Sequence, residues 1–324
     1  MAEIIELKLH RPLIVKSKLT AGLTLCLALV SVSFAPIFIR FSETDLGANG
    51  TVFNRLLIFA LVFGTGRIIS QRLTATASSS EEVKGQDPLT WKHWLLLLAV
   101  GLSSITTLGL WAISLEYTSV AKSMLLNNLT PVFTSLGAWL CLGKRFDEKF
   151  LLGMSIALTG ALALGLEDLQ GSEEHLVGDI YALLSAVFLG IYFLIVEQLR
   201  HRFSATTILL WRCTIGSLLL LPIVLMREGQ LFPTSLSCWL AVIGLGLISE
   251  GLGQRLIADC MEQLSSSFIA LFLLLEPIIS AMLAWLIWSE GLSSTTWIGF
   301  AVILTGIYLA QSSSAAVHNL DTHT

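Results

Sequence analysis

The chain has 324 residues, 54% of them hydrophobic and 13% charged, with a net charge of −4 and a mean hydropathy of +0.79. Soluble domains carry about a quarter of their residues as Asp, Glu, Lys and Arg, so this composition excludes a water-soluble globular protein and places the chain in a bilayer. No nucleic-acid partner is expected.

Crossing a hydrocarbon core of ~30 Å takes roughly 20 helical residues, and in lipid every backbone group must be bonded within a helix or a closed barrel. Alternating strands, the barrel signature, are absent. A basic tail, 1–18, leads into the first apolar run, 19–39. That run is long and lacks a small-residue cleavage pattern, so it reads as a span and not as a signal peptide. The second span, 51–71, opens on Phe53-Asn54-Arg55, and a linker rich in Ser, Thr, Glu and Gly, 73–90, leads to the third, 93–114.

The fourth span, 120–141, is two-faced. On a helical wheel Ser123, Asn127, Asn128, Thr130, Pro131, Thr134, Ser135 and Ala138 share one arc, and Leu125, Leu126, Leu129, Val132, Phe133 and Leu136 fill the other. Two adjacent asparagines within a span are costly unless hydrogen-bonded, so they mark either a substrate cavity or an interhelical clamp. Pro131 removes an N–H donor and frees the carbonyl of Asn127 as a ligand or a hinge.

The fifth span, 149–166, is followed by an acidic outer loop with Glu167, Asp168, Glu173, Glu174 and Asp179, read as a solvated connector. The sixth, 177–196, ends beside Glu197, which reads as interfacial. The seventh, 205–226, opens on Leu210-Trp211-Arg212, a position comparable to that of Arg55. Both arginines read as side chains that snorkel to the interface or form a gate-closing ion pair. In the eighth, 237–257, Glu250 and Gln254 lie one turn apart, and Glu250 is a second cavity candidate. The ninth, 267–288, carries Glu276-Pro277, and the tenth covers 294–312 before a tail, 313–324. A carboxylate in mid-span costs ~3 kcal/mol or more, so Glu276 must be protonated, paired with Arg55 or Arg212, or facing a wet cavity. There it can hold a cationic substrate group or exchange protons, the expected coupling ion.

The chain repeats itself. Shifted by 146 residues, Pro131 falls on Pro277, Ala138-Trp139-Leu140 on Ala284-Trp285-Leu286, Gly153 on Gly299 and Leu158-Thr159-Gly160 on Leu304-Thr305-Gly306. Shifted by 154, Ala28-Leu29 falls on Ala182-Leu183, Ser31 on Ser185, Phe34 on Phe188 and Ile37 on Ile191. Five spans per copy make the second copy inverted, the layout that secondary transporters use for alternating access. The expected fold is therefore an all-α polytopic membrane protein of ten transmembrane helices. It forms two inverted five-helix repeats, 19–166 and 177–312. Thr130 aligns with Glu276, so the predicted site joins Asn127, Asn128 and Thr130 to Glu276 and Ser280, with Pro131 and Pro277 as hinges.

Of the 19 Lys and Arg, 14 fall on the side of the N-terminus, and the other five are Arg40, Arg55, Lys122, Arg212 and Arg227. This bias predicts cytoplasmic termini, most naturally in a bacterial inner membrane. The five cysteines are scattered and read as small buried side chains outside any disulfide framework. Gly153, Ala157, Gly160, Gly299 and Gly306 are spaced for close helix packing. No HExxH, G-x-S-x-G, Walker loop or Cys/His cluster occurs, so no enzymatic activity, cofactor or metal is expected.

Tyr117-Thr118-Ser119, Pro131 and Gly143-Lys144 before a glycine-rich fifth span resemble the first half of the EamA family of the drug/metabolite transporter (DMT) superfamily. Glu276-Pro277, Trp285, Ser289-Glu290-Gly291-Leu292 and Leu304-Thr305-Gly306 resemble its second half, and the likeness runs over nearly all of 19–312. Two departures stand out. Ser33-Phe34-Ala35-Pro36 replaces a Trp-Gly-x-Asn-Phe pattern, and Lys144 stands where glutamate is usual. The resemblance implies movement of amino acids, other small metabolites or drugs, commonly outward, by a monomer or homodimer. An uncoupled channel-like facilitator is the first rival, and an intramembrane enzyme or sensory receptor the second.

Overall fold

The computed structural model describes residues 18–77, 90–118, 120–167, 176–288 and 294–313, and every regular element among them is helical. The helices are α1 (Lys18–Ser33), α2 (Ala35–Ser42), α3 (Ala48–Ala77), α4 (Trp91–Tyr117), α5 (Val120–Asn127), α6 (Thr130–Leu142) and α7 (Glu148–Glu167). After the described break come α8 (Leu176–Arg200), α9 (Ala205–Arg227), α10 (Leu236–Gly244), α11 (Arg255–Cys260), α12 (Ser266–Phe272), α13 (Glu276–Trp288) and α14 (Ser294–Gln311). A π-helical stretch, Leu245–Gln254, joins α10 to α11, and a 3₁₀ turn, Leu273–Leu275, joins α12 to α13. The tails, most of the 73–90 linker, Asp168, Glu173 and Glu174, and the Ser289–Leu292 motif lie outside the described residues.

Seven helical segments are long and apolar enough to cross a membrane: Thr20–Ser42, Ala48–Ile69, Trp91–Leu115, Leu176–Arg200, Ala205–Arg227, Leu236–Cys260 and Ser266–Ile287. They match seven of the ten predicted spans. The predicted fourth and tenth contribute shorter apolar helices, Thr130–Leu142 and Trp297–Gln311. The fourth is short because the chain breaks at Asn128–Leu129, where Pro131 has no N–H to continue the helix. Leu61, Leu98, Trp139, Leu218, Leu240 and Leu286 are among many large apolar side chains on the outside. So large an apolar exterior would aggregate in water and suits lipid; the protein is a multi-pass integral membrane protein.

The most extensive packing joins elements before residue 168 to elements after 175: α4 with α8 and α9, α7 with α14, α3 with α9, and α6 with α8. The largest core cluster is built the same way, with Leu25, Val100 and Phe150 from the first stretch against Phe193, Ile269 and Ile303 from the second. The α7–α14 crossing is close enough to need glycine. A Cβ on Gly153 would stand 2.5 Å from the Gly306 carbonyl oxygen and 2.6 Å from the Ala310 nitrogen. α6 ends at Gly143, whose φ of +63° is the left-handed conformation that closes a helix at least cost in glycine. Three cysteines are buried as expected, whereas Cys26 and Cys141 lie on exposed faces. Their positions on α1 and α6 turn away from the core, a choice made by packing and not by residue type.

Polar ties fasten the two stretches to each other at the helix ends. Glu228, just past α9, accepts from the Asn49 backbone N–H at 2.9 Å and the Gly50 N–H at 2.8 Å, satisfying two donors at the start of α3. Asp45 reciprocates beside α10, accepting from the Ser235 N–H at 2.9 Å and from the Thr234 hydroxyl and N–H, each at 2.5 Å. These donors hold the Asp45 carboxyl below the usual carboxylate range, the Thr234 hydroxyl contributing most. At the other helix ends Lys144 pairs with Glu197, whose second oxygen accepts from the Ser266 hydroxyl at 2.5 Å and N–H at 3.2 Å. Glu197 is 1% exposed, so it is a buried tie and not the interfacial residue expected from its place at a span end.

Candidate functional site

Two interrupted helices face each other. Between α5 and α6 the break at Asn128–Leu129 leaves the Asn127 carbonyl without its i+4 amide, and the Thr130 hydroxyl donates to it at 2.7 Å. The Thr134 hydroxyl then donates to the Thr130 carbonyl at 2.8 Å. Across from it, the 3₁₀ turn ends at Glu276 and Pro277 opens α13. The end of α1 is stitched to this second break, with Ser280 Oγ donating to the Ser33 carbonyl at 3.0 Å and Ser33 Oγ donating to the Glu276 carbonyl at 3.4 Å.

Between the breaks lies a cavity of about 480 Å³. Asn127, Asn128, Thr130 and Pro131 line it from one side and Glu276, Pro277 and Ser280 from the other, with Gln254 closing a corner from the π-helical stretch. The remaining wall is mostly apolar, with Trp111, Phe193, Leu273 and Leu274. The fourth-span arc therefore faces inward as its wheel predicts: Ser123, Thr130, Thr134, Ser135 and Ala138 are buried, and Leu136 and Leu140 are exposed. Among the described residues, Asn127 Oδ1 is buried without a hydrogen-bond partner.

Glu250 is not among the residues lining this cavity. It is fully buried and joins the two arginines instead: Arg55 Nε donates to Glu250 Oε2 at 2.8 Å, and Arg212 Nη1 donates to Oε1. Arg212 Nε also donates to Ser104 Oγ at 2.8 Å, and its guanidinium lies 5.2 Å from the centre of the Tyr192 ring. At 8% exposure Arg212 does not snorkel; its partners are on three neighbouring helices. The arginines consequently make no ion pair with Glu276, the pairing that a residue-by-residue reading leaves open. Ser104 carries no signal in the sequence, because a Ser inside an apolar run is indistinct until an arginine is packed on it.

A model of the EamA-like transporter family matches the chain twice, over residues 19–166 and 176–311. The chain belongs to the EamA-like transporter family. Among its relatives, this EamA protein is 26% identical to an uncharacterized transporter of Archaeoglobus fulgidus, over 66% of the chain and 75% of the relative. It is 26% identical to the transporter YxxF of Bacillus subtilis, over 83% of the chain and 82% of the relative. It is 24% identical to the pseudopaline exporter CntI of Pseudomonas aeruginosa, over 64% of the chain and 72% of that exporter. One crystal structure shares the EamA chain's fold with a TM-score of 0.73, covering 91% of this chain and 97% of the other at 17% identity.

Proposed function

We propose that this EamA protein is a secondary active exporter of small metabolites, such as amino acids, or of drugs, working by alternating access around the cavity between Asn127 and Glu276. The observation that carries the reading is that one cavity is shared by two broken helices, one from each match to the family model. Matched discontinuities at a repeat interface are where such transporters hold their solute. The two matches, the 146-residue and 154-residue shifts and five predicted spans per copy support inverted repeats over 19–166 and 177–312. The Pseudomonas relative is an exporter, which supports the outward direction.

Asn127→Cys and Ser280→Cys, made in a cysteine-free background, are expected to react with a small aqueous thiol reagent and to be protected together by saturating transported solute. Labelling of Asn127→Cys by lipid-soluble reagents alone would place the transport site elsewhere. Membrane orientation is proposed from the basic residues, with both termini in the cytoplasm of a bacterium and the protein in its inner membrane. Reporter fusions after Ala77 and after Gln311 should be cytoplasmic and one after Gly171 external; an external C-terminus sinks the inverted layout.

Proton coupling is proposed through Glu276. No other described side chain lining the cavity ionises. Wild-type transport into proteoliposomes should vary with pH, and Glu276→Gln should flatten that profile while keeping normal thermal stability. Transport that ignores pH in the wild type would mark an uncoupled facilitator of the same fold.

A further inference from the structure

The cavity carries a single formal charge among its described lining residues, and that charge is negative. Glu276 makes no side-chain hydrogen bond or ion pair with the described protein, since the guanidiniums of Arg55 and Arg212 are both held by Glu250. The hydroxyl hydrogens of Thr130 and Ser280 are already given to the carbonyls of Asn127 and Ser33, so these hydroxyls face the cavity as acceptors, beside the neutral side-chain amides of Asn127, Asn128 and Gln254. The walls supply the aromatic faces of Trp111 and Phe193, whose ring electrons attract cations.

From these observations we infer that the solute is an organic cation, a protonated amine on an apolar body, held by the Glu276 carboxylate against the aromatic wall of Trp111 and Phe193. The inference rests on the transport reading of this cavity and narrows its solutes from amino acids, other metabolites and drugs to amines that carry no carboxylate. A solute carboxylate would meet Glu276 with no lining cation to offset the repulsion, whether it came alone or as half of a zwitterion. An ammonium group instead supplies up to three donors to the Glu276 carboxylate, which lacks them. The cavity is of a size that holds a ligand with an aromatic or branched body in addition to its charged head.

The test is a charge series on one skeleton: 2-phenylethylamine, 3-phenylpropanoate and phenylalanine, titrated calorimetrically into the protein in lipid nanodiscs. The amine should bind about ten-fold or more tighter than either other compound, the order expected of a charge-assisted hydrogen bond. Glu276→Gln should abolish that preference and Glu276→Asp should keep most of it, with the melting temperature of each variant showing that it is folded. Amine binding unchanged in folded Glu276→Gln overturns the inference. So does tighter binding of the carboxylate or the amino acid, or binding of none of the three. If the carboxylate or amino acid also protects Asn127→Cys and Ser280→Cys, the transport cavity stands and its cation preference alone is lost. Failure of every transported solute to protect those cysteines removes the transport reading itself.

Discussion

Glu250→Gln is expected to cost about 3–5 kcal/mol, the loss that follows when one partner of a buried ion pair is removed. The carboxylate's single negative charge is shared by two guanidiniums, and the variant leaves both without a counter-charge in a space from which Arg212 has almost no route to water. The amide can still accept one hydrogen bond from either arginine, so geometry is partly kept and the missing quantity is charge. Removing the acid together with one base should be milder. Glu250→Met with Arg212→Met leaves Arg55, which is 17% exposed and the better placed of the two to reach solvent. A thermal-unfolding series of the purified proteins in detergent gives the answer. A single variant as stable as the parent, or a double variant worse than the single, would show that the triad is not the electrostatic unit described.

The second large effect is steric. Gly306→Val should weaken the fold by about 1–3 kcal/mol, as overpacking does where neighbours cannot yield. The atoms in the way are backbone: a Cβ at Gly306 would stand 2.5 Å from the Gly153 carbonyl oxygen and in contact with the Ala157 amide nitrogen. Backbone cannot rotate aside as a side chain can, so α7 and α14 must separate. Gly109→Ala is the control, because a Cβ there meets nothing within 4 Å. In mid-helix that change should be neutral or stabilising by up to about 1 kcal/mol. Equal melting temperatures for Gly306→Val and the parent would mean that the crossing is looser than its glycines imply.

These two predictions draw on different levels of information. Glycine spacing in the fifth and tenth spans is legible in the sequence, and the helices do meet there, since small residues at helical spacing are useful only against a close neighbour. The inward arc of the fourth span and the breaks at Pro131 and Pro277 are legible for the same kind of reason: periodicity and the missing proline N–H are properties of a single helix. Membrane residence follows from composition alone. Asn127, Glu276 and Ser280 sharing one cavity could be anticipated because the internal repeat supplies a register between distant helices.

Where no repeat or periodicity links two residues, only packing decides. Glu250 is 195 residues from Arg55 and 38 from Arg212, and nothing local distinguishes it from Glu276 as a partner for either. The π-helical stretch that carries Glu250 makes the choice. Its Gly246 lies where a Cβ would meet Ile58 and, at 3.2 Å, the Arg55 carbonyl oxygen, so glycine lets α3 approach and brings the arginine within reach of that acid. Glu197 was likewise undecidable from its place at a span end until Lys144 and Ser266 closed over it. A chain's periodicity determines which face of a helix turns inward, because that depends on one helix and its solvent. The partner a buried charge meets there depends on distances between helices, which only the assembled tertiary structure sets.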